Sequence, residues 1–241
     1  MKRSGIRLTL FALTACLAAA VSCGGGGGGG SSLRGTWYGP GENSLAEPHA
    51  YELTFDGDGN IIRLAEDRVA SGLQGTTVET YPDFLDLTLS DDSAGGILVD
   101  ASGTHMVYFD ENGIFAVLQK GAAALPAYVG DDVIGTWSGF SYWYSSDPDS
   151  WGEKAPFNSL TASPAAQNYT FLMYGGPEIV NGILENFDST WGRYTGATDL
   201  SMSAGVTAYM TPDGRRLGFF LGFRGPGDGW PDAFIFFLFG K

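Results

Sequence analysis

The pattern apolar-x-Gly-Thr-Trp-x-Gly occurs twice in this chain, one hundred positions apart. It reads Leu33-Arg34-Gly35-Thr36-Trp37-Tyr38-Gly39 and Val133-Ile134-Gly135-Thr136-Trp137-Ser138-Gly139. Two further echoes fall in the same order. Val107 to Gly113 is echoed by Ala208 to Gly214, and Tyr51-Glu52-Leu53-Thr54-Phe55 by Tyr169-Thr170-Phe171-Leu172-Met173. Self-similarity at a fixed spacing signals duplicated architecture, so the body is expected to be two related units, 33–131 and 132–241.

Each unit reads as strands. Tyr51 to Phe55, an Asp56-Gly57-Asp58-Gly59 turn and Asn60 to Leu64 make a hairpin. Leu85 to Leu89 alternates apolar and polar, the mark of a half-buried strand. His105 to Phe109 and Ile114 to Leu118 flank a turn at Gly113, and Tyr209 to Thr211 and Leu217 to Phe223 flank Pro212-Asp213-Gly214. Phe234 to Phe239 is continuously apolar, as a strand buried on both faces would be. Helical periodicity is absent, apart from a turn or two over Arg63 to Ala70. Turn signals this closely spaced predict an all-β fold of two tandem antiparallel meander or barrel-like repeats, each with seven or eight short strands.

Gly-x-Trp on the first strand of an antiparallel meander resembles the calycin (lipocalin-like) proteins, through Gly35 with Trp37 and Gly135 with Trp137. The resemblance implies a barrel with the Trp at its closed end and room for an apolar ligand at the other. The residues alone favour Trp37 and Trp137 as core anchors.

Ahead of the repeats, Lys2, Arg3 and Arg7 precede an apolar stretch from Leu8 to Val21, the layout of a secretory signal over 1–22. Ala20-Val21-Ser22-Cys23 resembles the lipobox of bacterial lipoproteins, which implies cleavage before Cys23 and a diacylglyceryl group on its thiol. Leu13-Thr14-Ala15-Cys16 fits the same pattern but would leave a very short apolar stretch, so Cys23 is preferred. Gly24 to Gly30 with Ser31 and Ser32 completes a flexible tether over 23–32, with a reach of about 15–18 Å. A membrane partner through the lipid is expected, at the cell envelope. Gly24 lacks the acid that holds many lipoproteins at the inner membrane, which points to the outer one.

Beyond residue 22 the chain carries ten basic and twenty-seven acidic side chains. Such a charge repels phosphate backbones and argues against nucleic acid as a partner. With both cysteines near the N-terminus, the repeats contain neither disulfides nor thiolate chemistry. His49 and His105 are the sole histidines, and no catalytic or metal motif surrounds them. Asp56, Asp58 and Asn60 have calcium-loop spacing, but Ile61 stands where that loop needs Gly, so a hairpin turn is the expected role. No cofactor or metal is expected.

The richest candidate surface is Tyr142, Trp143, Tyr144 and Trp151, beside Asp147 and Asp149. Exposed rings beside carboxylates grip sugars; rings alternating on a strand pack a core instead. The sequence therefore points to a non-catalytic, lipid-anchored binding or structural module for an apolar or saccharide ligand. The alternatives are an envelope carbohydrate hydrolase using Asp/Glu and a scaffold contacting other envelope proteins.

Overall fold

The computed structural model describes residues 33–81, 83–145, 153–154, 157–175, 178–199, 204–223 and 233–241. Strands β1 (Gly35–Glu42), β2 (Pro48–Phe55), β3 (Ile61–Glu66), β4 (Val69–Ala70), β5 (Gly75–Tyr81), β6 (Phe84–Leu89), β7 (Ala94–Val99), β8 (His105–Asp110) and β9 (Phe115–Lys120) form one sheet. It closes on itself where β1 pairs with β9 and β2 with β3. A linker ending in a 3₁₀ turn, Gly130–Val133, leads to the second unit. There β10 (Gly135–Ser145), β11 (Glu153–Lys154), β12 (Ser159–Ala165), β13 (Asn168–Gly175), β14 (Glu178–Asp188), β15 (Arg193–Thr198), β16 (Ala204–Met210), β17 (Arg216–Phe223) and β18 (Ala233–Gly240) close through β10 and β18. With β4 and β11 as short flanking additions, each unit is an eight-stranded up-and-down antiparallel barrel. That closure removes sheet edges.

The five fixed positions of the duplicated motif have the same job in both barrels. Gly35 and Gly135 take φ of +117° and +129°, a region other residues avoid. The indole N–H of Trp37 donates to Leu33 O at 2.7 Å, and that of Trp137 to Val133 O at 2.8 Å. Both indoles are fully buried. Lys120 lies opposite Trp37 on β9 with its Nζ 5.5 Å from the ring, and Lys241 follows β18 with its Nζ 4.5 Å from the ring of Trp137. Thr36 bonds Thr54 and Thr136 bonds Thr161, both at 3.2 Å. A Cβ at Gly39 would sit 2.0 Å from Val117 O, and one at Gly139 2.0 Å from Leu238 O. The closing glycines therefore let the first and last strands meet.

The other two echoes fall on different strands. Tyr51–Phe55 is in the second strand of barrel one, whereas Tyr169–Met173 is in the third of barrel two. Tyr108 is on the seventh strand, Tyr209 on the sixth. Barrel strands share one alternation of buried and exposed positions, so unrelated strands look alike. The segment Arg63 to Ala70 is no helical turn. It holds the end of β3, a two-residue turn at Asp67 and Arg68, and β4.

The barrels pack side by side. On β8 and β9, Met106, Tyr108, Ala116 and Leu118 point into barrel one, while Val107, Phe109, Phe115 and Val117 point out at barrel two. On β18, Phe237 and Phe239 fill barrel two, while Phe236 and Leu238 face barrel one. This explains the unbroken apolar runs. Register equivalence, carried around each sheet from the two tryptophans, matches Phe109 with Phe220 and Phe115 with Phe236. Phe109 stacks on Phe236 at 3.8 Å between ring centroids, and the equivalent pair, Phe115 and Phe220, lies at 5.4 Å. Phe115 and Phe236, equivalent to each other, meet at 5.9 Å. The contact thus has approximate two-fold symmetry, the isologous geometry usual in homodimers.

Candidate functional site

Polar groups rim this apolar contact. Asp100, in the β7–β8 turn, accepts from Arg216 Nε at 3.1 Å and Nη2 at 2.9 Å. His105 opens β8 and is buried, with Nδ1 3.2 Å from Asp100 and Nε2 3.0 Å from Asp213 of barrel two. Burial opposes ionisation of Asp100, but bonds from His105, Ser102 and the Thr104 and His105 amides outweigh it and hold the carboxyl well below the usual range. Asp213 is lowered too: burial works against this, and the Arg215 amide, Thr211 and His105 prevail. Glu42 bonds Arg193 Nη2 at 2.8 Å, and here burial wins and raises the carboxyl despite the guanidinium. These groups hold the barrels together.

Beside this seam lies a cleft of about 660 Å³. Tyr38 of β1 and Ala50 of β2 line it. Tyr38 follows the inward Trp37, so strand alternation turns it outward toward the linker. One wall is the linker itself, with Leu125, Pro126 and Ala127. It is pinned to barrel two by Tyr128 N donating to Ser189 O at 3.2 Å and by the Tyr128 ring, which fills the space where Gly192 lacks a side chain. A second wall is the β14–β15 turn, with Ser189, Thr190 and Trp191. Asp188 Oδ1 accepts from Thr190 N at 2.9 Å to shape that turn.

The third wall is the β3–β4 turn. Asp67 and Arg68 both adopt positive φ, 48° and 71°. Two such residues make the mirror-image turn that suits a hairpin's twist, usually filled by Asn-Gly. Asp67 locks it: Oδ1 accepts from Ala50 N at 3.0 Å, and Oδ2 lies 2.8 Å from His49 Nδ1. Those bonds hold the Asp67 carboxyl below its ordinary value against its burial.

His49, Glu66 and Asp67 bring three ligand-type atoms within 4.8 Å of one another. The hydrogen bonds explain the cluster without a metal. Asn43 Oδ1 accepts from Leu45 N and Glu47 N, which orients the amide so that its Nδ2 faces His49 Nε2 at 3.1 Å. Nε2 is thereby the acceptor, and the ring proton sits on Nδ1 facing Asp67 and Glu66, the atom a metal would need bare.

Of the rings singled out in sequence, Tyr142 is buried between the barrels, 4.9 Å from Phe84 in a stack and 5.9 Å from Tyr81. It packs and offers no free face. Trp143 and Tyr144 lie on β10, with side chains outside the described residues, and Trp151, like Cys23, falls outside them altogether. Asp56 Oδ1 accepts from Asp58 N and Asn60 N, both at 2.9 Å, as a hairpin turn requires. Sequence reading missed the cleft because its walls come from a linker and two turns. The adjacent turn residues Asp67 and Arg68, neither of them glycine, were the one local signal.

No protein-family model and no curated protein matches the chain. Among solved structures, it is similar to a protein of unknown function of the DUF3598 family from Nostoc punctiforme, with 10% identity and a TM-score of 0.44 over 87% of this chain and 96% of that one. The strand pairing within this chain by itself establishes the tandem barrels.

Proposed function

We propose that this chain is a non-catalytic binding module of the cell envelope, anchored by a lipid on Cys23, whose ligand sits in the cleft between linker and barrels. The observation that carries the reading is the cleft: a concave site at a domain junction, lined by Trp191, Tyr38, Leu125 and Pro126 with a few polar groups. The barrel interiors are filled by contiguous clusters of large side chains, which favours this site over a calycin-type central cavity. Both histidines have their ring nitrogens engaged by neighbouring side chains, which favours binding over acid–base chemistry. The lipid anchor and outer-membrane location rest on the N-terminal sequence.

The test is isothermal titration of the mature chain against a panel of saccharides and apolar acids, with Ala127→Trp as the blocked control. Ala127 is an exposed wall residue, so the new ring fills the cleft with little cost to folding. A ligand that binds the wild type and not the variant supports the reading. Equal binding to both, or none from the panel, refutes it.

A further inference from the structure

Arg68 is the feature of the cleft that its fold does not use. Among the described residues, Arg63, Arg193, Arg215 and Arg216 face carboxylates, and Lys120 and Lys241 lie over tryptophan rings. Arg34 and Arg68, both exposed on a strongly acidic chain, have no such partner, and of the two Arg68 lines the cleft. The acid beside Arg68, Asp67, is already committed to Ala50 N and His49. Arg68 also occupies a positive-φ position that glycine would fill without strain. Folding alone would favour glycine there. A guanidinium lining a cleft presents a planar fork of donors suited to a carboxylate or phosphate.

Trp191, partly packed against the core between the barrels, also lines the cleft, and Ser189 and Thr190 add small polar groups. The cleft is open and mixed in character, which suits a ring with hydroxyls better than an acyl chain. Resting on the cleft reading above, we infer that the ligand is a saccharide carrying an anionic group, with the anion on Arg68 and the sugar ring toward Trp191.

The experiment compares glucose, glucuronate and glucose 6-phosphate by titration against the wild type, Arg68→Gln, Arg68→Gly and Ala127→Trp. The expected result is tighter binding of one or both anionic sugars than of glucose. Arg68→Gln should weaken the anionic sugars by about ten- to a hundred-fold, the value of a charge-assisted hydrogen bond, and leave glucose unchanged. A preference for glucuronate or for the phosphate identifies which anion is read. Arg68→Gly should bind as poorly as Arg68→Gln yet melt at or above the wild-type temperature, which separates ligand recognition from a structural role. If Ala127→Trp abolishes binding while Arg68→Gln leaves the anionic sugars unaffected, the inference fails and the cleft remains the site. If Ala127→Trp abolishes nothing, the site is elsewhere and both fail.

Discussion

Glu42 and Tyr142 occupy the same rung of the first strand in their two barrels, and each reaches across to the other barrel. Glu42 takes the guanidinium of Arg193, and Tyr142 stacks on Phe84. Phe84 and Arg193 are themselves equivalent by register on β6 and β15. One arm of the pseudo-two-fold contact is therefore an ion pair and the other an aromatic stack. An interface between identical chains could not carry that difference; a duplicated chain can.

The ion-pair arm depends on both partners. Arg193→Ala leaves a buried carboxylate unpaired and should cost about 3–5 kcal/mol in a denaturant melt. Glu42→Tyr with Arg193→Phe would copy the other arm, and should recover most of that loss. A double variant no better than Arg193→Ala would show that the two arms are not interchangeable.

The acid limb of stability should come from the Asp100 and Asp213 rim. Both carboxyls are lowered in the folded chain, so their contribution is present above the unfolded value of about 3.9 and is lost as pH falls through the folded values. Asp213→Asn should flatten the fall in melting temperature below about pH 4. An unchanged acid limb would remove Asp213 from the account.

Gly139→Ala should open the β10–β18 closure, because its Cβ would meet the Leu238 carbonyl oxygen at 2.0 Å. A loss of about 3 kcal/mol or more is expected, at the upper end for overpacking. Gly57→Ala, with open space at its Cβ, is the matched control and should change stability by less than about 0.5 kcal/mol. Circular dichroism melts of the two variants make the comparison.

Cys23→Ala should leave the precursor uncut or release the protein from the membrane. Mass spectrometry of the mature N-terminus reads this directly. An unmodified N-terminus beyond position 23 would end the lipoprotein reading, and a lipid on Cys16 would move the site.

The strands and the duplication were legible because alternation and the Gly-Thr-Trp motif are local signals. Leu85 to Leu89 announces β6, and Phe234 to Phe239 announces a strand covered on both faces. Which faces meet is not a local property. Nothing around Phe109 indicates that it will stack on Phe236, and nothing near Tyr142 indicates that Phe84 will cover it. No motif surrounds His105 in the sequence, and its bond to Asp213 requires both turns in place. The echoes at Tyr169 and Tyr209 misled for the reason that made strands easy to find: one burial rhythm serves every strand of a barrel.

The double-sided burial of β18 also sets an order of events. Barrel two cannot close until β18 arrives, since it joins β10 to β17. Barrel one is complete by Lys120, and it then shows Phe109 and Phe115 to solvent with nothing yet to cover them. Those rings form a prepared landing surface for Phe236 and Leu238. During synthesis, the first barrel would serve as an internal chaperone for the second, shielding a continuously apolar strand as it emerges.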